Sequence, residues 1–360
     1  MDEVKKHGQS VWYDNIRRGL INSGELQRLI DLGVTGLTSN PTIFQKAITD
    51  SGDYDEAMGA AVRGGKDVDE IYEALVIDDI RAAADLLRPA YDDAGGADGY
   101  ASLEVSPHLA HDTDATVTEA RRLFAALDRP NVMVKVPGTP AGIPAIHRLI
   151  GEGINVNVTL LFSLRAYRDA RDAYIAGLED LRWSGGDLSR VASVASFFVS
   201  RVDTSVDSRL EDGDAALKGK AAIANARIAY RDFKEDFGGE RFAALRAIGA
   251  RPQRPLWAST SVKNPEFSDL MYVESLIGKD TVDTMPEATL LAFMEQGAVD
   301  DTLEQDVDGA EQLFEALEAA GVSMERVSAE LLADGVRLFT ESFDKLKSDI
   351  GKKRAALLAG

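Results

Sequence analysis

Short apolar segments alternate with longer stretches of helical periodicity along this chain of 360 residues. Eight of the apolar segments have the length and composition of buried strands. These strands are predicted at residues 11–14, 36–40, 100–106, 131–138, 154–159, 191–198, 255–260 and 272–277. Most of the segments between them place apolar residues three or four positions apart, which is typical of helices that cover a sheet.

The alternation of strands and helices predicts an α/β fold, a (β/α)8 TIM barrel with extra N- and C-terminal helices. No linker divides the sequence, so we expect one barrel domain over residues 1–360. A half-solvated antiparallel sheet would also alternate apolar and polar positions. The barrel is preferred because the segments between the strands are helical and too long for hairpins.

Two of the predicted strands carry polar side chains on the face that a barrel turns inward. In the third strand, Leu103 and Val105 alternate with Ser102 and Glu104, and the fifth strand alternates in the same way. The apolar set would face the helices, and the polar set would face the barrel interior. Because branched apolar residues normally fill this interior, inward polar residues suggest a functional site.

The fourth strand contains a lysine, Lys135, inside an apolar run that ends at Pro137-Gly138. An unpaired ammonium group is costly to remove from water, and burial lowers the pKa of a lysine. A neutral amine in a dry pocket is a nucleophile toward carbonyl groups. The alternative is that Lys135 lies at the strand end and extends into solvent, and this segment alone does not separate the two.

Polar or charged residues recur at or near the ends of several predicted strands. They are Asp14, Asn40, Glu104, Lys135, Asn157, Thr159 and Ser196. The C-terminal ends of barrel strands meet at one mouth, so these side chains can share a pocket. Two carboxylates, an amine and a hydroxyl would supply a nucleophile, a base and a proton relay. Arg201 and Lys263, which follow the sixth and seventh strands, are candidates for a phosphate clamp.

The amino-acid composition limits the kinds of partner and the cellular compartment that we expect for this protein. The formal net charge of −20 argues against nucleic acid or an anionic membrane, because either needs a basic face. The chain has no cysteine, which excludes disulfides and thiolate chemistry and is compatible with a reducing cytosol. We see neither a signal peptide nor an apolar span of membrane length, and we expect a cytoplasmic protein.

Motifs for nucleotide and metal cofactors are missing or weak. No G-x-G-x-x-G follows a strand, and the glycines at 138 and 142 lack the G-K-[ST] ending of a phosphate-binding loop. His108 and His111 have a possible metal spacing but no acidic context, so they are interpreted as loop histidines. The sequence therefore predicts neither a metal site nor a cofactor.

Two segments closely resemble the signature segments of transaldolases. They are LTSNPTIF at 37–44 and VMVKVPGTPAGI at 132–143. The resemblance continues through SLEV at 102–105, NVNVTLLFS at 155–163 and SFFVSR at 196–201. Several motifs in the same order make the resemblance specific, and it extends from the first to the seventh predicted strand.

The resemblance implies a (β/α)8 barrel of the class I, Schiff-base aldolase superfamily. Such an enzyme moves a dihydroxyacetone unit from a ketose phosphate to an aldose phosphate in the pentose phosphate pathway, without metal or cofactor. Sedoheptulose 7-phosphate or fructose 6-phosphate would be the donor, and glyceraldehyde 3-phosphate or erythrose 4-phosphate the acceptor. The chain could then be a monomer or a homodimer.

The resemblance also implies the catalytic residues. Lys135 looks like the Schiff-base lysine, and Asp14 like the acid/base that takes the proton of the donor's C4 hydroxyl. Glu104 and Thr159 resemble the pair that positions a water molecule for dehydration of the carbinolamine. Lys135, Glu104 and Thr159 each stand inside one of the matching segments.

Six further residues are implied in substrate binding. The hydroxyls of the donor would be held by Asn40, Asn157 and Ser196, and its phosphate by Arg201, Ser261 and Lys263. Many family members have arginine where Lys263 stands, and lysine keeps the charge but loses the bidentate geometry. Phe197 and Ser200 also depart from the commoner Ser-Pro-Phe-Val-Gly-Arg pattern.

Three other functions stay open at this point. An aldolase could use the same lysine and release free dihydroxyacetone. Asp14 and Glu104 could be the carboxylate pair of a glycosidase, although this leaves a lysine within a strand unexplained. An inactive barrel could bind sugar phosphates without turnover.

Overall fold

Eight parallel strands form a closed barrel in the computed structural model, which describes residues 1–359 and every side chain among them except that of residue 212. The strands are β1 (Gln9–Tyr13), β2 (Gly36–Leu37), β3 (Ala101–Glu104), β4 (Val132–Pro137), β5 (Val156–Leu161), β6 (Ser193–Phe198), β7 (Arg254–Ala258) and β8 (Thr281–Met285). Each strand pairs with its neighbour in the sequence, and β8 pairs with β1 to close the ring. The predicted (β/α)8 barrel is confirmed.

Helices connect the strands and cover the outside of the barrel. Those before β5 are α1 (Asp2–Lys6), α2 (Arg18–Asn22), α3 (Glu25–Asp31), α4 (Pro41–Thr49), α5 (Asp55–Arg63), α6 (Val68–Asp93), α7 (Thr113–Leu127) and α8 (Gly142–Gly151). Those after β5 are α9 (Leu164–Trp183), α10 (Ser200–Asp207), α11 (Ala221–Gly238), α12 (Glu240–Arg246), α13 (Met271–Ser275), α14 (Glu287–Gln296), α15 (Val307–Ala319) and α16 (Met324–Ala359). None of the helices within residues 1–359 is long and apolar enough to cross a membrane.

The position of the eighth strand was predicted wrongly. The segment 272–277 lies largely in α13, and the strand that closes the barrel is Thr281–Met285. Tyr272, Val273 and Leu276 are all buried at helical spacing, so their apolar character belongs to one side of a short helix. Three of the five residues of the true strand are polar, so it does not form an apolar run.

A tryptophan fills part of the barrel interior. Trp12 of β1 is paired in register with Gly36 of β2, and its indole ring lies directly over that glycine. A Cβ added to Gly36 would lie 2.5 Å from the ring, so only glycine leaves room for it. The indole N–H donates to Asp98 Oδ1 at 2.8 Å, which satisfies the buried donor.

The C-terminal helix α16 crosses the end of the barrel at which the strands finish. Near its start, the Ser328 hydroxyl donates to the carbonyl of Phe162, directly after β5, at 3.1 Å. Further along, Ser342 Oγ lies 2.8 Å from Thr42 Oγ1 at the beginning of α4. Lys353 then donates to a carbonyl near the end of α4. One helix therefore contacts elements that follow two different strands.

A β-bulge and a glycine permit this close approach. The register of β5 against β6 shifts between Val158 and Leu161, and Leu160 takes a left-handed backbone conformation with φ of 60°. A Cβ added to Gly335 of α16 would lie 2.9 Å from the Leu160 side chain. Bulges often occur beside active sites because they redirect a side chain, and Thr159 stands next to this one.

One buried carboxyl group on β8 opposes folding at high pH. Asp283 is fully buried, and Thr260 donates to its Oδ1 at 2.9 Å. Its Oδ2 has no hydrogen-bond partner within the described chain. Burial raises the pKa of Asp283 to about 7, although the Thr260 hydrogen bond acts in the opposite direction. The native state therefore favours the protonated carboxyl group.

We predict that Asp283→Asn makes the protein more stable relative to wild type as the pH rises. The pKa of an unfolded aspartate is about 3.9, and one unit corresponds to about 1.4 kcal/mol. The raised native pKa means that the wild type loses stability as the pH increases toward 7 and beyond. Between pH 5 and 8, urea denaturation should show a relative gain of about 3 kcal/mol for the variant. Asp269→Asn, at an exposed carboxylate, is the control; a difference between D283N and wild type that is constant with pH would contradict the prediction.

Candidate active site

Three polar side chains lie side by side across neighbouring strands inside the barrel. Glu104 of β3 is in register with Lys135 of β4, and Lys135 is in register with Asn157 of β5. All three are buried. The alternation predicted from the sequence for β3 and β5 therefore brings a carboxylate, an amine and an amide together.

Lys135 does not extend into solvent. Its side chain is only 6% exposed, and Nζ donates to the backbone carbonyl of Ser39 at 2.8 Å. Glu104 Oε2 lies 3.4 Å from Nζ, which is longer than the usual charge-assisted hydrogen bond of about 2.7–2.9 Å. The amine is thus oriented by one short hydrogen bond and has a carboxylate close by.

Two buried oxygens near this amine are without a protein hydrogen-bond partner. Within the described residues, neither Glu104 Oε2 nor Thr159 Oγ1 hydrogen-bonds to another protein atom, and Thr159 is fully buried. Buried polar groups are normally satisfied, so an exception indicates a functional group or a bound molecule. Burial raises the pKa of Glu104, and the nearby Lys135 lowers it again in part.

A chain of hydrogen bonds fixes the amide of Asn157. Its Nδ2 donates to Ser102 Oγ at 3.2 Å, and its Oδ1 accepts a hydrogen bond of 2.7 Å from the Ser196 hydroxyl. Both ends of the amide are therefore oriented by side chains from neighbouring strands. One amide hydrogen and one lone pair remain for a ligand.

Asp14 lies at the end of β1, and its carboxylate points into the interior. Thr38 donates to Asp14 Oδ1 at 2.7 Å, and no protein donor within residues 1–359 contacts Oδ2. Burial raises the pKa of Asp14, whereas the Thr38 hydrogen bond and the charges of Lys135 and Arg201 lower it. Lys135 and Arg201 are therefore close enough to the Asp14 carboxylate for their positive charges to stabilise its ionised form.

Asn40 begins the helix that follows β2. Its Oδ1 accepts a hydrogen bond from the Ile43 amide at 3.0 Å, and Pro41 occupies the first helical position. The preceding residue, Ser39, donates its hydroxyl to the carbonyl of Ser102 at 2.6 Å. This capped turn fixes the carbonyl that accepts from Lys135, and it leaves the Asn40 amide hydrogens free of protein acceptors in the described chain.

Arg201 lies in the first turn of α10, after β6. Its guanidinium group stacks 5.5 Å from the centre of the Phe198 ring and makes neither a hydrogen bond nor an ion pair with the residues that the structure describes. Burial lowers the pKa of Arg201, and the negative charges of Asp14 and Asp334 oppose this shift. A partly buried cation without a protein counterion is suited to bind an anionic ligand.

The loop after β7 lies beside this arginine. The Ser200 amide donates to the carbonyl of Ser259 at 3.0 Å, and the two hydroxyls lie 2.9 Å apart. Lys263 is exposed, and its ammonium group donates to Ser261 Oγ at 2.6 Å. The two loops are thus linked one residue before Arg201 and two residues before Ser261.

Sequence reasoning missed four residues of this site, namely Thr38, Ser39, Ser102 and Thr284. The first two lie inside a segment that was recognised, but only their neighbour Asn40 was selected. Ser39 acts through its backbone carbonyl, for which residue type gives no signal. Thr284 lies in the strand that was misplaced, and the segment Thr281–Met285 has no regular alternation of apolar and polar residues that would have revealed it.

Nothing in the described chain suggests a metal centre. Within residues 1–359, no group of three or more histidine, aspartate or glutamate side chains is arranged to hold a metal ion. His108 instead contacts Asp344 of α16 at 2.7 Å. The chemistry of this pocket is that of an amine, carboxylates and hydroxyls.

A family profile and several similar proteins agree on the family that this chain resembles. A family profile described as "Transaldolase/Fructose-6-phosphate aldolase" matches residues 11–350. A protein of Saccharopolyspora erythraea named "Transaldolase" is 51% identical over 350 residues, covering 96% of this chain and 95% of its own length. A "Transaldolase" of Thiobacillus denitrificans is 49% identical over 354 residues, with coverage of 97% and 99%. A "Transaldolase 2" of a Nostoc species is 46% identical over 367 residues, with coverage of 98% and 96%.

The pairing of Lys135 with Glu104 leads to a prediction about stability. Lys135→Ala should destabilise the protein more at pH 8 than at pH 5, because it leaves a buried carboxylate without its cation. Adding Glu104→Gln should restore about 2 kcal/mol at pH 8, since no charge then remains buried. Urea denaturation of the three proteins at both pH values measures this. If the double variant is no more stable than Lys135→Ala at pH 8, the two groups are not coupled as described.

Proposed function

The chain belongs to the transaldolase/fructose-6-phosphate aldolase family, and we propose that it acts as a transaldolase through a Schiff base on Lys135. It would transfer a dihydroxyacetone unit from sedoheptulose 7-phosphate or fructose 6-phosphate to glyceraldehyde 3-phosphate or erythrose 4-phosphate. The observation that carries this proposal is a buried amine, oriented by the Ser39 carbonyl and flanked by Glu104.

In the first step, a proton passes from Lys135 to Glu104, and the neutral amine attacks the C2 carbonyl of the donor. The C=O electron pair moves to the oxygen, which takes a proton from the nitrogen, and a carbinolamine results. The C2–O bond then breaks as the departing hydroxyl takes a proton and leaves as water, and a protonated imine remains. Glu104 and Thr159 are suited to this proton transfer because their buried oxygens lack protein partners. Burial raises the pKa of Glu104, which favours the protonated acid that can donate.

In the second step, Asp14 takes the proton from the C4 hydroxyl. The O–H electrons form the aldehyde, the C3–C4 bond breaks, and its electron pair enters the protonated imine to give an enamine. Burial raises the pKa of Asp14, and a positive charge at Lys135 acts in the opposite direction, so the protonated imine would favour the ionised base. The aldehyde product leaves, and the enamine attacks the acceptor aldehyde by the reverse of the same steps.

The substrate phosphate would bind at the linked loops after β6 and β7. Arg201 has no protein counterion in the described chain, and Ser261 and Lys263 are hydrogen-bonded to each other at the same end of the barrel. Asn40, Asn157 and Ser196 would hold the hydroxyls of the donor. The protein's net charge is −20, so the phosphate must be attracted by this local group of cations.

An aldolase that releases free dihydroxyacetone is the second candidate, because the description of the family includes both activities. The two enzymes share the lysine chemistry and differ in whether water or an acceptor aldehyde consumes the enamine. The glycosidase alternative is less well supported, because Glu104 is paired with Lys135 rather than with Asp14. We further propose a cytoplasmic protein in which residues 1–360 act as one domain, since β1 pairs with β8 and α16 packs on α4.

We predict that turnover requires an acceptor and passes through Lys135. Borohydride reduction with fructose 6-phosphate and no acceptor should inactivate the enzyme and add a dihydroxyacetone-derived mass to the peptide that holds Lys135. Release of glyceraldehyde 3-phosphate should continue past one turnover only when erythrose 4-phosphate is present.

Sustained cleavage without an acceptor would instead identify an aldolase. Tight binding of the sugar phosphate with no turnover would identify a binding protein, seen as a rise in melting temperature alone. Lys135→Ala should keep the barrel fold, measured by circular dichroism, and lose both the mass addition and the transfer activity. Near wild-type activity in this variant would reject the mechanism.

We predict that Arg201→Gln chiefly raises the KM for phosphate-ester substrates. Loss of a charge-assisted hydrogen bond is worth about 1.5–3 kcal/mol, which corresponds to about a 10- to 150-fold increase. Steady-state kinetics should show a smaller change in kcat, because the phosphate lies away from the reacting carbons. Arg165→Gln, at an exposed arginine of α9, is the matched control. An unchanged KM in R201Q would exclude Arg201 as a phosphate ligand.

A further inference from the structure

One threonine hydroxyl connects Asp14 to the eighth strand. Thr38 Oγ1 lies 2.7 Å from Asp14 Oδ1 and 2.8 Å from Thr284 Oγ1. Both threonines are buried, with exposed fractions of 3% and 2%. Thr284 is paired in register with Trp12 of β1, two residues before Asp14, so barrel closure brings the two groups together.

The number of hydrogens on these groups determines which group donates in each of the two hydrogen bonds. A hydroxyl has one hydrogen to donate and two lone pairs to accept. An ionised Asp14 can only accept, so Thr38 gives its single hydrogen to Oδ1. The contact between the two threonines then requires Thr284 to be the donor. Thr284 Oγ1 has no other hydrogen-bond partner among the described residues, so its hydrogen is available for this bond.

We propose that Thr284 is a positioning residue for the proposed reaction. Because Thr284 donates to Thr38, the hydroxyl hydrogen of Thr38 is directed to Asp14 Oδ1. Oδ2 is then the oxygen that exchanges the proton with the substrate. The proposal rests on the proposed transaldolase function and adds a residue and an atom to it. Successive hydrogen bonds polarise one another, so the Thr284 bond strengthens the Thr38 bond to the carboxylate.

The proton transfer then has a defined geometry. The hydrogen of the substrate's C4 hydroxyl moves to Oδ2 of Asp14, while Oδ1 continues to accept from Thr38. No other hydrogen bond has to be reversed during the step. If Oδ1 took the proton instead, Thr38 and Thr284 would both have to rotate. Oδ2 has no protein partner in the described chain, and Asp14 keeps some surface at the pocket, so this oxygen is accessible.

The charged groups that act on Asp14 lie on other elements of the fold, and none of them belongs to the hydrogen-bonded hydroxyls of Thr38 and Thr284. Lys135 of β4 and Arg201 of α10 lower the pKa of Asp14, and Glu104 of β3 lies next to Lys135. Thr284 is uncharged and makes no hydrogen bond to any of these groups. Its removal therefore changes the hydrogen bonding of Asp14 without removing a charge.

The test is the pH dependence of kcat/KM for acceptor-dependent cleavage of fructose 6-phosphate. Thr284→Val keeps the side-chain shape and removes the hydroxyl. In this variant, the acid limb of the pH profile of kcat/KM should move to higher pH by about half a unit. The reason is that the ionised form of Asp14 loses the stabilisation of a cooperative hydrogen bond. Thr284→Ser should restore the wild-type limb. KM should stay within about twofold, since Thr284 would touch no part of the substrate.

Thr281→Val is the matched control. It removes another buried hydroxyl from β8, but this one is hydrogen-bonded to Gln9 and to the carbonyl of Gly278, away from Asp14. It should lower the melting temperature without moving the acid limb. A purely structural role of Thr284 would give the same pattern for Thr284→Val and would overturn the proposal.

A double variant decides whether Thr284 acts through Thr38. Thr38→Val should move the acid limb further than Thr284→Val does, and adding Thr284→Val to it should move the limb no further. Additive shifts would overturn the proposal. Absence of any acceptor-dependent turnover in the wild type would instead reject the proposed function, so the two failures are distinguishable.

Discussion

The site depends on holding one amine inside a closed ring of parallel strands. Lys135 is buried, so its charge must be balanced and its hydrogens must be accepted by nearby groups. Glu104 supplies the opposite charge from the neighbouring strand, and the Ser39 carbonyl accepts a hydrogen bond. The same pair makes chemistry possible, because the orientation of Nζ is set before any substrate arrives and the neighbouring Glu104 can take the proton of Lys135.

The rest of the barrel offsets the free-energy cost of burying these polar groups. The outer face of each strand packs against helices with apolar side chains, which supplies the stability that the inner face does not. Within the interior, most polar groups satisfy one another, as Ser102, Asn157 and Ser196 do. Two of the exceptions, Glu104 Oε2 and Thr159 Oγ1, are located where the proposed reaction needs a free acid and a hydroxyl.

Elements from distant parts of the chain complete the pocket. The cap at Asn40 directs the Ser39 carbonyl toward Lys135, and a contact between Ser200 and Ser259 links the loops that hold Arg201, Ser261 and Lys263. The long helix α16 lies across these strand ends and contacts the start of α4. The bulge at Leu160 and the absence of a side chain at Gly335 allow that helix to approach β5. Backbone geometry therefore contributes to the site as much as side-chain identity does.

The sequence by itself determined the fold class, the family and seven of the eight strands. It could do so because strand and helix periodicities are local, and because the segments around Asn40 and Lys135 are specific. The eighth strand was misplaced, because Thr281, Asp283 and Thr284 make it mostly polar, whereas the apolar residues near Tyr272 belong to a short helix. Only the tertiary structure decided which groups touch: that Lys135 donates to a backbone carbonyl, that Glu104 Oε2 is left without a hydrogen bond, and that Thr284 reaches Asp14 through Thr38. Such contacts depend on the register between strands that are far apart in the chain and on the closure of β8 against β1, and a local pattern carries no information about either.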